Sequence, residues 1–181
     1  MSKLSKLLKL LLCLVSVGVC LPVYSESVTD RELQIKAAYI YNFTKFITWN
    51  QTFLSSENFN FCIVEDDYFT DILIKIINRR YVAGKKTFIR NIRKTDLIND
   101  CHLIYIPQQD SSLNDFYLKK SFKTLSLTVG NNNDFNKQGG IIRFYTQRNK
   151  LKFEINNVKA TEAGYKIKPQ LLMLGKGTGN E

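Results

Sequence analysis

Residues 60–78, NFCIVEDDYFTDILIKIIN, decide the architecture of this chain. The opening run over 60–65 is short, apolar and closed by acids at its carboxyl end, which predicts a buried strand. From Asp67 the apolar spacing changes. Phe69, Ile72, Leu73, Ile76 and Ile77 fall on one face of a helix over 67–78, and Asp66 or Asp67 is placed to cap its free amides.

The same rhythm extends in both directions. Upstream, Leu33, Ala37, Ile40, Tyr41, Thr44 and Ile47 recur at helical spacing and predict a helix over 29–48, capped by Thr29 or Asp30. Downstream, strands are expected over 86–92, 101–106 and 124–129, with a helix over 112–120 carrying Leu113, Phe116, Tyr117 and Leu118. Alternating strands and helices argue for parallel pairing with helices on both faces of the sheet. The rhythm breaks after the turn-forming run Gly130-Asn131-Asn132-Asn133-Asp134. Runs over 141–146 and 151–155, joined by Gln147-Arg148-Asn149-Lys150, read as an antiparallel hairpin. Short helices over 157–163 and 169–174 follow, with Gly164 after the first, and 175–181 reads as a frayed tail. The expected fold class is therefore α/β: a single-domain, Rossmann-like sandwich with a mostly parallel sheet, a C-terminal antiparallel hairpin and flanking helices.

The N-terminus carries different information. Lys3, Lys6 and Lys9 precede an apolar run over 10–21, and Val23-Tyr24-Ser25 precedes Glu26, the pattern of a secretory signal over 1–25. The run is shorter than the roughly 20 residues that cross a bilayer, so cleavage rather than membrane insertion is expected. Cys20 follows Val17-Gly18-Val19, which leaves lipidation there as a lesser alternative. Residues 26–181 fit one domain, and losing the signal lowers the formal charge from +10 to about +7. An exported chain rarely meets nucleic acid, and its Lys and Arg are scattered rather than striped with aromatics, so no nucleic-acid partner is expected.

Removing the signal also removes Cys13 and Cys20 and leaves Cys62 and Cys101, an even pair in an oxidising compartment. A bridge between them is the expectation. The competing assignment, Cys101 as a nucleophile served by His102, is geometrically poor because neighbours on a strand point to opposite faces.

No reaction motif is present, and the chain has one histidine. No catalytic residue, cofactor or metal site is expected. The acids Glu65, Asp66 and Asp67 lie at the carboxyl end of the first strand, where open α/β sheets bind ligands. A small-ligand or cation site there is the alternative function, set against simple helix capping. His102 is expected as hydrogen-bonded core, and Trp49 as the aromatic of its region that stays exposed.

Three blocks taken together carry a resemblance. They are Lys36-Ala37-Ala38-Tyr39-Ile40-Tyr41-Asn42-Phe43-Thr44-Lys45-Phe46-Ile47-Thr48-Trp49, the Cys62/Cys101 pair, and Gly139-Gly140-Ile141-Ile142 leading to Lys152-Phe153-Glu154-Ile155-Asn156 and Leu171-Leu172-Met173-Leu174. In this order they resemble the YfiR family of bacterial periplasmic proteins. The resemblance implies a periplasmic, non-enzymatic α/β regulator that tends to form a homodimer. It also implies repression of an inner-membrane diguanylate cyclase through the cyclase's periplasmic sensor domain, and hence control of cyclic-di-GMP and biofilm formation. The Cys62/Cys101 pair matches a bridge of the family, whereas a second cysteine pair of some members, near the Gly-Gly segment, is missing. Asn50 replaces the family's usual Pro.

On the last strand Leu151, Phe153 and Ile155 alternate with Lys152, Glu154 and Asn156. Glu154 has two open roles: a charged contact to a partner, or a cross-strand pair with Arg143. The expected partner-binding surface is the hairpin face carrying Ile142 and Glu154, together with Trp49.

Overall fold

The run that opens the sequence reading folds as strand β2, Asn58–Val64, and helix α2, Asp67–Ile77. The computed structural model describes residues 28–50, 53, 55–107 and 110–178. The signal over 1–25, Cys20 and the last three residues lie outside the described residues. Before β2 come helix α1, Val28–Phe43, and strand β1, Ile47–Thr48. After α2 come strands β3, Tyr81–Val82, β4, Lys85–Ile92, and β5, Leu103–Ile106, then helix α3, Ser111–Thr124. The chain continues through β6, Leu127–Gly130, and the hairpin of β7, Ile142–Gln147, and β8, Lys150–Asn156. It ends with α4, Asn157–Glu162, β9, Lys166–Ile167, α5, Pro169–Leu174, and β10, Lys176–Thr178.

Eight strands form one sheet in the order β10-β8-β7-β6-β5-β2-β4-β3. The pairs β4-β2, β2-β5, β5-β6, β6-β7 and β8-β10 are parallel, while β7-β8 and β3-β4 are antiparallel. The α/β class, the mostly parallel sheet, the hairpin and the flanking helices are thus as the sequence predicts. Alternation along β2 and β5 explains the two covered faces. Phe61, Ile63, Leu103 and Tyr105 join a large cluster with Ala37 and Ile40 of α1, Phe69 and Leu73 of α2, Ala160 of α4 and Leu171 of α5. Cys62, Val64, Ile104 and Ile106 face the other way, against Tyr117 and Leu118 of α3 and against Phe135. Cys62 and Cys101 are bonded on that second face, fully buried, with Cα atoms 5.7 Å apart, an ordinary spacing for a bridge.

Four features depart from the sequence reading. Helix α1 stops at Phe43 instead of running to 48, because the Thr44 hydroxyl donates to the Tyr41 carbonyl at 2.6 Å and the next amides close tight turns. Ile47 and Thr48 then pair with Ile167 and Lys166. Helix α3 runs past 120 to Thr124, where Leu125 takes a left-handed conformation at φ 55° and its amide donates to the Phe122 and Ser121 carbonyls. The hairpin turn is two residues, not four: Gln147 pairs with Lys150, and Arg148 and Asn149 both have positive φ, 50° and 56°. Residues 176–178, expected to fray, instead pair in parallel with 154–156.

Candidate functional site

The hairpin residues expected to face a partner are turned inward. Ile142 is fully buried and lies opposite Ile155. Arg143 lies opposite Glu154, and its Nε donates to Glu154 Oε1 at 2.7 Å with both side chains nearly buried. Of the two roles open for Glu154, the geometry gives the cross-strand pair. The reason is tertiary: β10 adds to the outer edge of β8, with Lys176 opposite Glu154, so β8 is an interior strand. Trp49 is buried as well. Its ring packs edge-on against Phe59 and Tyr165 at 4.6 and 5.5 Å, and its Nε1 donates to the Thr44 carbonyl at 3.3 Å. Trp49 and Ile142 are thus both buried, which corrects the expected exposure of Trp49.

The ion pair has a measurable consequence. Glu154→Gln keeps the shape and an acceptor but removes the negative charge opposite a guanidinium that is itself nearly buried. A loss of about 2 kcal/mol in stability is expected, within the range for hydrogen bonds to charged groups. A urea midpoint equal to that of the parent would show that the pair contributes nothing.

The acidic run at the end of β2 is occupied by local structure. Asp66 accepts from the Phe69 amide at 2.8 Å and caps α2, while Asp67 accepts from Asn91 Nδ2 and lies 3.7 Å from Arg93. Glu65 has a positive φ of 49° and accepts from the Tyr117 hydroxyl at 3.4 Å. That hydroxyl has its pKa raised by desolvation and then by Glu65 itself. The three carboxylates therefore have separate partners, and among the described residues no group of three His, Cys, Asp or Glu side chains could hold a metal ion.

His102 sits beside the disulfide in a polar niche of about 330 Å³, where its Nε2 lies 2.8 Å from the Ser56 hydroxyl. This resembles the start of a serine nucleophile, but the protons run the wrong way. The Asn60 amide donates to Nδ1 at 3.1 Å, so the neutral ring carries its proton on Nε2 and donates it to Ser56. Ser56 in turn donates to the Phe53 or Asn58 carbonyl, at 2.9 and 2.8 Å. A ring already protonated on Nε2 cannot take the proton of Ser56. His102 is a buried, hydrogen-bonded core residue, as the sequence predicts.

Burial lowers the His102 pKa below its ordinary value near 6.5, against the opposing pull of the Phe53 and Asp100 backbone and the Asp100 charge, with Lys85 acting in the same sense as burial. The unfolded chain therefore binds a proton near pH 6.5 that the folded chain refuses, so stability is complete above pH 6.5 and declines as pH falls below it toward the lower folded value. Because this is the only histidine, its imidazole proton resonances report it directly. Their titration midpoint is expected to lie below the ordinary value near 6.5, and His102→Gln is expected to flatten the slope of stability against pH just below that value. A normal titration midpoint would contradict this.

Among the exposed aromatics that the sequence reading did not single out, Phe122 lies beside a lysine-rich surface. Phe122, on the last turn of α3, is 57% exposed, and only the i+4 spacing from Leu118 in a helix longer than expected could have found it.

The comparisons with known proteins bear on these features as a set. The model of the YfiR/HmsC-like family matches residues 33–176. This chain belongs to that family. YfiR/HmsC-like proteins are periplasmic regulators in general. No curated protein matches at a significant level. Among solved structures, a conserved domain protein from Vibrio cholerae O1 biovar El Tor superimposes with a TM-score of 0.57 at 10% identity, covering 81% of this chain. This chain spans 60% of the length of that one, and at such identity the likeness concerns the fold. Among the described residues of this YfiR/HmsC-like chain, no helix is long and apolar enough to cross a membrane.

Proposed function

We propose that this chain is a periplasmic, non-enzymatic regulator that binds and represses an inner-membrane diguanylate cyclase through the cyclase's periplasmic sensor domain. Cyclic-di-GMP output, and with it biofilm formation, falls when the chain is bound. The observation that carries the reading is the family match across residues 33–176. The local chemistry agrees with recognition in place of turnover: Asp66 is engaged in capping, Asp67 in a polar pair, and the histidine holds the tautomer that cannot activate its serine. Repression needs no reaction. A protein that prefers one arrangement of its target holds the target there by differential affinity, acting as a homodimer on a dimeric enzyme.

The test is co-expression of the full chain with the membrane cyclase encoded nearest to its gene. Co-purification from solubilised membranes, with cellular cyclic-di-GMP lowered several-fold relative to the cyclase alone, is the expected result. Unchanged cyclic-di-GMP and no co-purification would refute the reading. Light scattering of the purified chain at twice its monomer mass checks the homodimer.

A further inference from the structure

On the α3 side of the sheet a groove of about 530 Å³ has an apolar floor of Leu118 and Phe122 and a rim of Lys119, Lys123, Lys137 and Lys159. Three separate segments supply that rim: α3, the loop after β6, and α4. Lys159 reaches over the Phe122 ring, with Nζ 5.9 Å from its centroid. The carboxylates of Asp115, Asp134 and Glu162 pair with Lys119, Lys137 and Lys159 at 2.6, 3.1 and 2.7 Å, but from outside. Among the described residues no acid lines the groove. Gln138, which does line it, keeps Oε1 buried without a hydrogen-bond partner.

We propose that this groove docks an acidic segment of the membrane partner's periplasmic domain, with one apolar side chain seated on Phe122. The inference rests on the repressor reading above and names the surface that performs it. Four ammonium groups around an exposed ring form an anchor with a charged rim, an arrangement in which the ring supplies affinity and the charges supply steering and selectivity. Partner carboxylates displace Asp115, Asp134 and Glu162 at little cost, because exposed ion pairs are weak. The volume suits one or two side chains in a concave site rather than the face of a bilayer.

Two variants of this surface, Phe122→Ser and the double variant Lys119→Glu with Lys123→Glu, alter exposed positions, and Lys150→Glu on the hairpin serves as a charge control. Circular dichroism and the thermal midpoint verify folding. The first probe is a fluorescent peptide of alternating Asp and Leu with a central Phe, compared with the same peptide carrying Asn for Asp and with phosphatidylglycerol vesicles. The acidic peptide is expected to bind with salt-sensitive affinity that falls at least tenfold in both groove variants and is unchanged in the control. The Asn peptide and the vesicles are expected not to bind.

The second readout is repression of the co-expressed cyclase. Loss of repression in the groove variants supports the proposal. Repression equal to the parent in both variants, peptide binding indifferent to them, or binding of vesicles alone overturns it. A parent chain that binds the peptide at the groove but leaves the cyclase active refutes the repressor reading and supports the groove as an acidic docking site.

Discussion

Cys62→Ala with Cys101→Ala is expected to lower stability by about 4 kcal/mol, the chain-entropy value for a loop of this length, against the few to fifteen kcal/mol that domains of this size possess. The bridge spans a sequence separation of 39 residues and ties the middle of β2 to the residues that lead into β5. Both sulfurs are fully buried in the cluster under α3, so reductant reaches them through unfolding and not from solvent. Two measurements follow. Urea unfolding of the oxidised parent and of the double variant should differ in midpoint with similar slopes, and thiol release from the native parent in dithiothreitol should track its unfolding rate. A stability difference below about 1 kcal/mol would mean that the folded state is strained enough to cancel the entropic gain.

The second large effect concerns Phe135, a fully buried ring in the same cluster. It lies against two glycines: a Cβ built on Gly130 would stand 2.3 Å from the ring, and one on Gly140 2.2 Å. Its own carbonyl accepts from the Gly140 amide at 2.8 Å and closes the loop around it. Phe135→Ala is expected to cost about 4 kcal/mol through lost transfer energy and the cavity left behind. Gly140→Ala is expected to cost about 3 kcal/mol by overpacking, since a ring fixed between strand and loop has little room to move. The two are coupled, so Phe135→Leu combined with Gly140→Ala should be more stable than the sum of the separate losses predicts. Additive losses would show that the glycine acts through something other than ring clearance. The same ring positions the loop that carries Lys137 and Gln138, so its loss should also weaken the groove.

The Gly139-Gly140 segment illustrates how far the sequence could be read. It belongs to a block that carries the family resemblance, but nothing local announced that Gly140 is small because an aromatic five residues earlier folds back onto it. Pairings of this kind are contacts between positions, and single-residue patterns do not contain them. The hairpin shows the same division. Alternation along 151–155 correctly placed Glu154 opposite Arg143 as one of two options. Whether that face met solvent depended on β10, a strand of low apolar content that pairs through its backbone. Trp49 was misplaced for a related reason: helical spacing was extended past Phe43, whereas the chain leaves the helix there and turns the ring inward onto Phe59 and Tyr165.

The sequence by itself determined what local periodicity and composition encode: the strand–helix rhythm, the parallel α/β class, the closing hairpin, an aspartate cap at position 66 or 67 and the pairing of Cys62 with Cys101. These follow from side-chain spacing along one segment, or from a count small enough to leave one pairing. Only the tertiary structure decided which residues meet solvent. Burial of Ile142 and Glu154, the proton placement on His102 and the lysine-rimmed groove around Phe122 each depend on segments far apart in the chain arriving at one place. Exposure is a property of that assembly, so surface and function were the least legible parts of the sequence.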